Sequence, residues 1–250
     1  MHTSNYWVAH FKENARHKRI NWNLTPTITA DEVDVILPSL QAWQLGETSE
    51  GRQLIAVSTK YANTTGDPEY LEAVKLFIKE EQKHGNNLGR YIDKIGKPRL
   101  KRNWGDSLFR HVRHFNASME MWTLTVITVE SAAQIFYQSL KDATGCRLLK
   151  QVCTDILIDE AYHITFQTER LATIYNSTNS FGRAARAFAY RYFFYATACV
   201  VWFAHKNLFK AGGNTFESYV KKMRYRQHKT IATITNAGVK QVKANYANSI

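Results

Sequence analysis

The motif Glu-x-x-His occurs twice in this chain of 250 residues, as Glu81-Gln82-Lys83-His84 and as Glu160-Ala161-Tyr162-His163. Three residues along an α-helix turn through about 300°, so each motif presents a carboxylate and an imidazole from neighbouring positions on one face. Each is a bidentate half-site for a cation. One copy on a surface helix is an ordinary solvated pair. Two copies inside long helical patterns, each with a glutamate one helix upstream, supply the donors of a carboxylate-bridged di-metal site in a four-helix bundle.

Helical spacing selects one of the upstream acids. Met119, Thr123, Val126, Glu130, Ala133, Tyr137 and Leu140 alternate by three and four and share one seam, which puts the acid Glu130 in a core position. Gly145 interrupts the pattern, and the next helix returns through Leu149, Cys153, Ile156, Glu160, His163 and Gln167. Glu130 lies fifteen residues before Gly145 and Glu160 fifteen after it, so in an antiparallel hairpin the two meet at one height. An earlier turn, Thr64-Thr65-Gly66-Asp67-Pro68, offers Asp67 as an N-cap and Pro68 as the first helical residue.

The first helix carries two acids on its seam of Leu40, Trp43, Glu47, Glu50, Leu54, Val57 and Tyr61. If it runs straight to Asn63, Glu50 lies as far before the turn as Glu81 lies after Pro68, and this symmetry favours Glu50 as the ligand. Glu47 sits one turn further along the axis, about 4.5 Å away, which suits an acid behind the ligands or one recruited on oxidation. Gly46 and Gly51 permit distortion of that helix, so both assignments stand. Without a metal, five or six ionisable groups on buried seams would cost several kcal/mol per uncompensated charge, roughly, and a pair of cations removes that cost.

The order Glu50, Glu81-x-x-His84, Glu130, Glu160-x-x-His163 resembles the ferritin-like di-iron carboxylate superfamily over residues 39 to 176. The resemblance implies an all-α, ferritin-like four-helix bundle holding two iron ions, or manganese and iron. In several oxygen-activating members the residue before the ligating Glu is also acidic and holds the histidine of the other hairpin. By that similarity Asp159 holds His84 and Glu80 holds His163, which fixes the ring tautomers.

With 44% hydrophobic residues, 12 glycines and four prolines, the chain reads as one large domain with little room for linkers. Its expected parts are an N-terminal arm over residues 1–30 that docks on the body, the bundle over 39–176, and accessory helices over 181–237. Cys146, Cys153 and Cys199 are odd in number and lack Cys-x-x-Cys spacing, so a reducing cytoplasm is expected. Residues 1–23 mix apolar and basic side chains and do not read as a signal peptide. The uncharged run 192–203 is shorter than the roughly 20 residues a bilayer needs, so no transmembrane segment is expected.

Lys and Arg outnumber Asp and Glu by 33 to 21, a formal charge of +12. Some of those acids are assigned to the interior, so the surface is more cationic still. It suits an acidic carrier protein, an acidic reductase or an anionic small substrate. No nucleic-acid motif accompanies the charge. His111 and His114 alternate with Arg110 and Arg113 and read as surface residues. Four carboxylates and two imidazoles suit iron or manganese. The expectation is an O2-activating oxidase or oxygenase acting on a small organic or carrier-tethered substrate, fed by an electron-donating reductase, with a homodimer left open. The alternative is a ferritin- or rubrerythrin-like protein of iron oxidation, storage or peroxide detoxification.

Overall fold

In the computed structural model, residues 1–105, 118–176 and 180–247 are described, with the side chains of 176, 180–185, 187 and 234–247 excepted. His111 and His114 lie outside the described residues. Eight helices are found among those described: α1 Ser4–Asn14, α2 Ala30–Glu47, α3 Arg52–Thr65, α4 Pro68–Lys94, α5 Met119–Asp142, α6 Arg147–Asn176, α7 Ser180–Ala211 and α8 Phe216–Ala247. The central bundle is formed by α2 with α3, α4, α5 and α6. Helix α1 packs along α4, α7 covers α5 and α2, and α8 closes over α6, α5 and α7.

Local chemistry sets the helix ends. Thr29 and Glu32 form a capping box at the start of α2, and Glu32 Oε1 also accepts from the Gly145 N–H at 2.5 Å. One side chain thus ties the first helix of the bundle to the turn between α5 and α6. Asp67 caps α4 by accepting from the Tyr70 N–H at 3.1 Å, with Pro68 in the first turn.

The helix expected to run unbroken from Leu40 to Tyr61 is two helices. Its break falls at 48–51, where Gly51 takes φ +64° and begins α3. A side chain at Gly51 would be strained by that φ, and its Cβ would lie 2.6 Å from Ile78 Cδ1. The last helix runs to Ala247, beyond the expected end of the accessory region.

Two apolar clusters pack the helices of the bundle. One gathers Ile36, Leu40, Leu88, Phe136, Leu149 and Ile156, and the other Trp7, Phe11, Leu54, Val74, Phe77 and Phe166. Along α2–α3, α4 and α6 the Glu and His positions fall between these clusters, so the polar layer is held by packing on both sides. Burial of a side chain such as Phe11 contributes roughly 2 kcal/mol, and Phe11 and Trp7 together dock α1. No helix among the described residues is long and apolar enough to cross a membrane.

Candidate metal centre

Four helices bring six side chains to one level. The donor atoms of Glu81, Glu130, Glu160 and His163 lie within 4.8 Å of one another, and those of Glu47, Glu81 and His84 form a second such group. Glu81 belongs to both. The helical i, i+3 spacing places His84 Nδ1 3.9 Å from Glu81 Oε1 and His163 Nδ1 3.3 Å from Glu160 Oε2. Across the two hairpins, His163 Nδ1 lies 2.8 Å from Glu81 Oε1, and His84 Nδ1 lies 3.6 Å from Glu160 Oε1.

The outer nitrogens of both rings are held by acids. His84 Nε2 donates to Asp159 Oδ2 at 3.1 Å, and His163 Nε2 donates to Glu80 Oε2 at 2.9 Å. With Nε2 committed outward, Nδ1 of each ring faces the interior of the cluster and offers a lone pair there when the ring is neutral. Each acid immediately before a motif Glu thus meets the histidine of the other hairpin. In helical geometry, residues i and i+1 diverge by about 100°, so Glu80 and Asp159 reach around the cluster while Glu81 and Glu160 point into it.

Glu50 corrects the expectation drawn from hairpin symmetry. It lies in the break between α2 and α3, its side chain 66% exposed and paired with Arg52, and the structure does not bring it to the cluster. Glu47, the last residue of α2, occupies that place. The symmetry count assumed one straight helix, and the non-helical residues ending at Gly51 shift everything after them.

Glu47 Oε1 accepts from Trp43 Nε1 at 2.9 Å, one turn back on α2, and from the Tyr137 hydroxyl at 2.7 Å on α5. Tyr137 is therefore both packed in the core and bonded to the cluster.

The electrostatics call for cations. Burial, reinforced by neighbouring Glu81 and Glu160, pushes the carboxyls of Glu47 and Glu130 well above the usual carboxylate range. Burial acts the same way on Glu81, but His163 and His84 outweigh it and hold that carboxyl at about 2. For the rings, burial favours the neutral form, yet the surrounding carboxylates raise His163 well above its ordinary value and raise His84 as well. Protons thus gather where positive charge is wanted. His84 Nδ1 and Glu160 Oε1 are buried with no hydrogen-bond partner and face each other at 3.6 Å within the cluster. Oxygen-rich donors with two imidazoles fit two ions of the iron or manganese type.

A third ring of residues, for which the sequence carried no motif, surrounds this centre. Asn14 of α1 donates from Nδ2 to Glu80 Oε1 at 2.5 Å and to Asp159 Oδ1 at 2.8 Å. Arg19 bonds Asp155 at 2.8 Å and Asp159 at 3.0 Å, and Lys83 reaches Asp159 Oδ2 at 2.6 Å. Burial alone would raise the Asp159 carboxyl, but His84 and Lys83 drive it far below its ordinary value. Lys83 lies between Glu81 and His84 in the first motif, at a position that the motif leaves unspecified.

On its other side the centre opens into a cavity of about 590 Å³. Glu47, Glu81 and Glu130 form its floor, and its walls are mostly apolar, with Trp43 and Trp122 from α2 and α5 and Val200 and His205 from α7. His205 departs from helical geometry (φ −125°, ψ 19°), and its Nδ1 lies 3.1 Å from Ser39 Oγ. Burial lowers its pKa to about 4, so the ring is neutral at ordinary pH. The aromatic run of α7 thus supplies a cavity wall as well as core.

No family model matches the chain, and no curated protein does. Among solved structures, a variant of an R2-like ligand-binding oxidase with an aerobically reconstituted Mn/Fe cofactor superposes with a TM-score of 0.63 at 16% identity, covering 95% of this chain and 93% of that one. Two further R2-like ligand-binding oxidase structures, one of another variant and one of the same variant, each with an anaerobically reconstituted Mn/Fe cofactor, give 0.60 and 0.58 at the same identity, each covering 95% of this chain and 93% of that one. At this identity the likeness is one of fold, and the chain has the all-α, ferritin-like architecture of these R2-type proteins.

Proposed function

We propose that this protein is an O2-dependent di-metal oxidase or oxygenase acting on a small organic or carrier-tethered substrate. Glu47, Glu81, His84, Glu130, Glu160 and His163 would hold two iron ions, or one manganese and one iron. The observation that carries the reading is the placement of a six-donor cluster directly beneath a largely apolar cavity of about 590 Å³. Ligand cavities commonly span about 300–1,000 Å³, so this one admits an organic molecule beside the donors.

When bound, the metal pair supplies the redox chemistry of O2 activation. The chain does the rest. Asp159 and Glu80 orient the two imidazoles, while Trp43 and Tyr137 fix one oxygen of Glu47 and leave the other free for the cluster. Trp122 and Val200 keep the chamber apolar and limit water beside the donors. Electrons would come from a reductase, and a surface carrying much of the +12 formal charge suits an acidic one. The R2-like neighbours are described as ligand-binding oxidases with an Mn/Fe cofactor, which agrees with this reading.

The test is stopped-flow absorption after anaerobic loading. Protein carrying two ferrous ions per chain should react once with O2 and stop, and a His84→Ala/His163→Ala double variant should neither hold the ions nor react. Continued oxidation of excess iron with growth of a mineral core would place the protein with the storage class instead.

A further inference from the structure

The N-terminal helix reaches the candidate centre through Phe11, whose ring centroid lies 6.1 Å from that of His163, and through the hydrogen bonds of Asn14. Asn14, the last residue of α1, is 5% exposed and all of its side-chain amide is engaged. Its two Nδ2 hydrogens go to Glu80 on α4 and to Asp159 on α6, and its Oδ1 accepts from Arg19, which fixes which end of the amide faces the acids. Glu80 and Asp159 are in turn the acceptors for His163 and His84. One amide therefore joins the two carboxylates that set the two rings, and those rings come from opposite hairpins. Arg19 and Lys83 bring two cationic groups to Asp155 and Asp159, so the acids behind the histidines are compensated from the arm as well as from the bundle. The rest of α1 docks through Trp7 and Phe11, and Trp7 Nε1 adds a 3.0 Å hydrogen bond to Glu169 of α6.

We infer that Asn14 is a positioning residue of the metal centre, so that docking of the N-terminal helix and loading of metal form one coupled equilibrium. The inference rests on the metal-site reading above. If the amide holds both carboxylates in their metal-binding pose, metal must by reciprocity hold the arm in place. The hydrogen-bonded routes of that coupling run from Asn14 to Glu80 to His163, and from Asn14 to Asp159 to His84.

Co(II) is a suitable probe, because its visible absorption reports the ligand field and its titration reports affinity. Full-length protein should bind about two Co(II) per chain, and binding should slow hydrogen exchange at the backbone amides of residues 4–19. Asn14→Ala should weaken Co(II) binding about tenfold and shift the absorption bands, in keeping with changes behind metal-bound histidines. Asn14→Asp, nearly identical in volume, should weaken it further, since it replaces the donor with a third carboxylate facing two others. A purely structural role for Asn14 would lower the melting temperature of both variants and leave the Co(II) spectrum unchanged, and that result overturns the inference. So does wild-type protein in which Co(II) leaves exchange in α1 unaltered, a measurement that needs no variant to fold. Failure of the wild type to bind Co(II) at all would instead remove the metal-site reading, and the inference with it.

Discussion

The Tyr137 hydroxyl donates a 2.7 Å hydrogen bond to Glu47 Oε1, linking the C-terminal part of α5 to the C-terminal residue of α2. Trp43 Nε1 donates to the same oxygen. Two donors on one oxygen turn the other toward the cluster, and they hold a residue at a helix end that would otherwise fray. Glu50, three residues on, pairs instead with the exposed Arg52.

The two acids therefore differ in consequence. Glu47→Ala should lose one of two metals, weakening binding at the side shared with His84 by more than about 100-fold, because a ligand costs more than the 10 to 100-fold typical of the residues behind it. Glu50→Ala should bind both as wild type does. Metal titration with elemental analysis distinguishes them, and the reverse ordering would return the role to Glu50.

Stability should respond to pH in a direction set by the buried cluster. Glu47 and Glu130 are raised above 4.5, and His84 and His163 above 6.5. In the native state these groups bind protons that the unfolded chain releases, so their contribution is full below the unfolded values and is lost as pH rises through the folded ones. Glu81 and Asp159 are lowered from 4.5 and 3.8, so what they contribute is present above those values and lost as pH falls through the folded ones. Metal-free protein should therefore melt at progressively lower temperature as pH rises from 6.5 into the alkaline range. Two equivalents of Mn(II) should remove that decline, because the cations replace the protons. Calorimetry of a metal-free sample whose melting temperature stayed level or rose across that range would contradict the account.

A third prediction concerns Gly85 on α4, whose missing side chain lets α2 approach. A Cβ there would lie 3.1 Å from the Glu47 carbonyl carbon and 3.2 Å from Glu47 Cβ. Alanine in a helix interior is favoured over glycine by about 1 kcal/mol, so on propensity alone Gly85→Ala should be harmless. Here the methyl must displace the backbone that carries Glu47, and Co(II) affinity should fall about tenfold, as for other changes that disturb ligand orientation. Wild-type affinity in this variant would mean that α2 can yield without moving Glu47.

Much of this was readable before the fold was known, for a local reason. The pairings Glu81 with His84 and Glu160 with His163 depend only on helical i, i+3 geometry, and the burial of Glu130 follows from the apolar seam on which it lies. The acids Glu80 and Asp159 stand next to ligand positions, so their outward reach was also set by helical rotation, once the resemblance supplied a use for it. What the sequence could not decide was anything dependent on a break or on a contact between distant segments. The choice of Glu47 over Glu50 required the turn at Gly51, where a positive φ and the approach of Ile78 end the straight run on which the count relied. Asn14 lies 66 residues from Glu80 and 145 from Asp159, in an arm without a motif, and only tertiary packing of Trp7 and Phe11 carries it there. The cavity is likewise the product of α7 folding back on α2 and α5, since an empty volume belongs to no single helix and leaves no periodic trace in any of them.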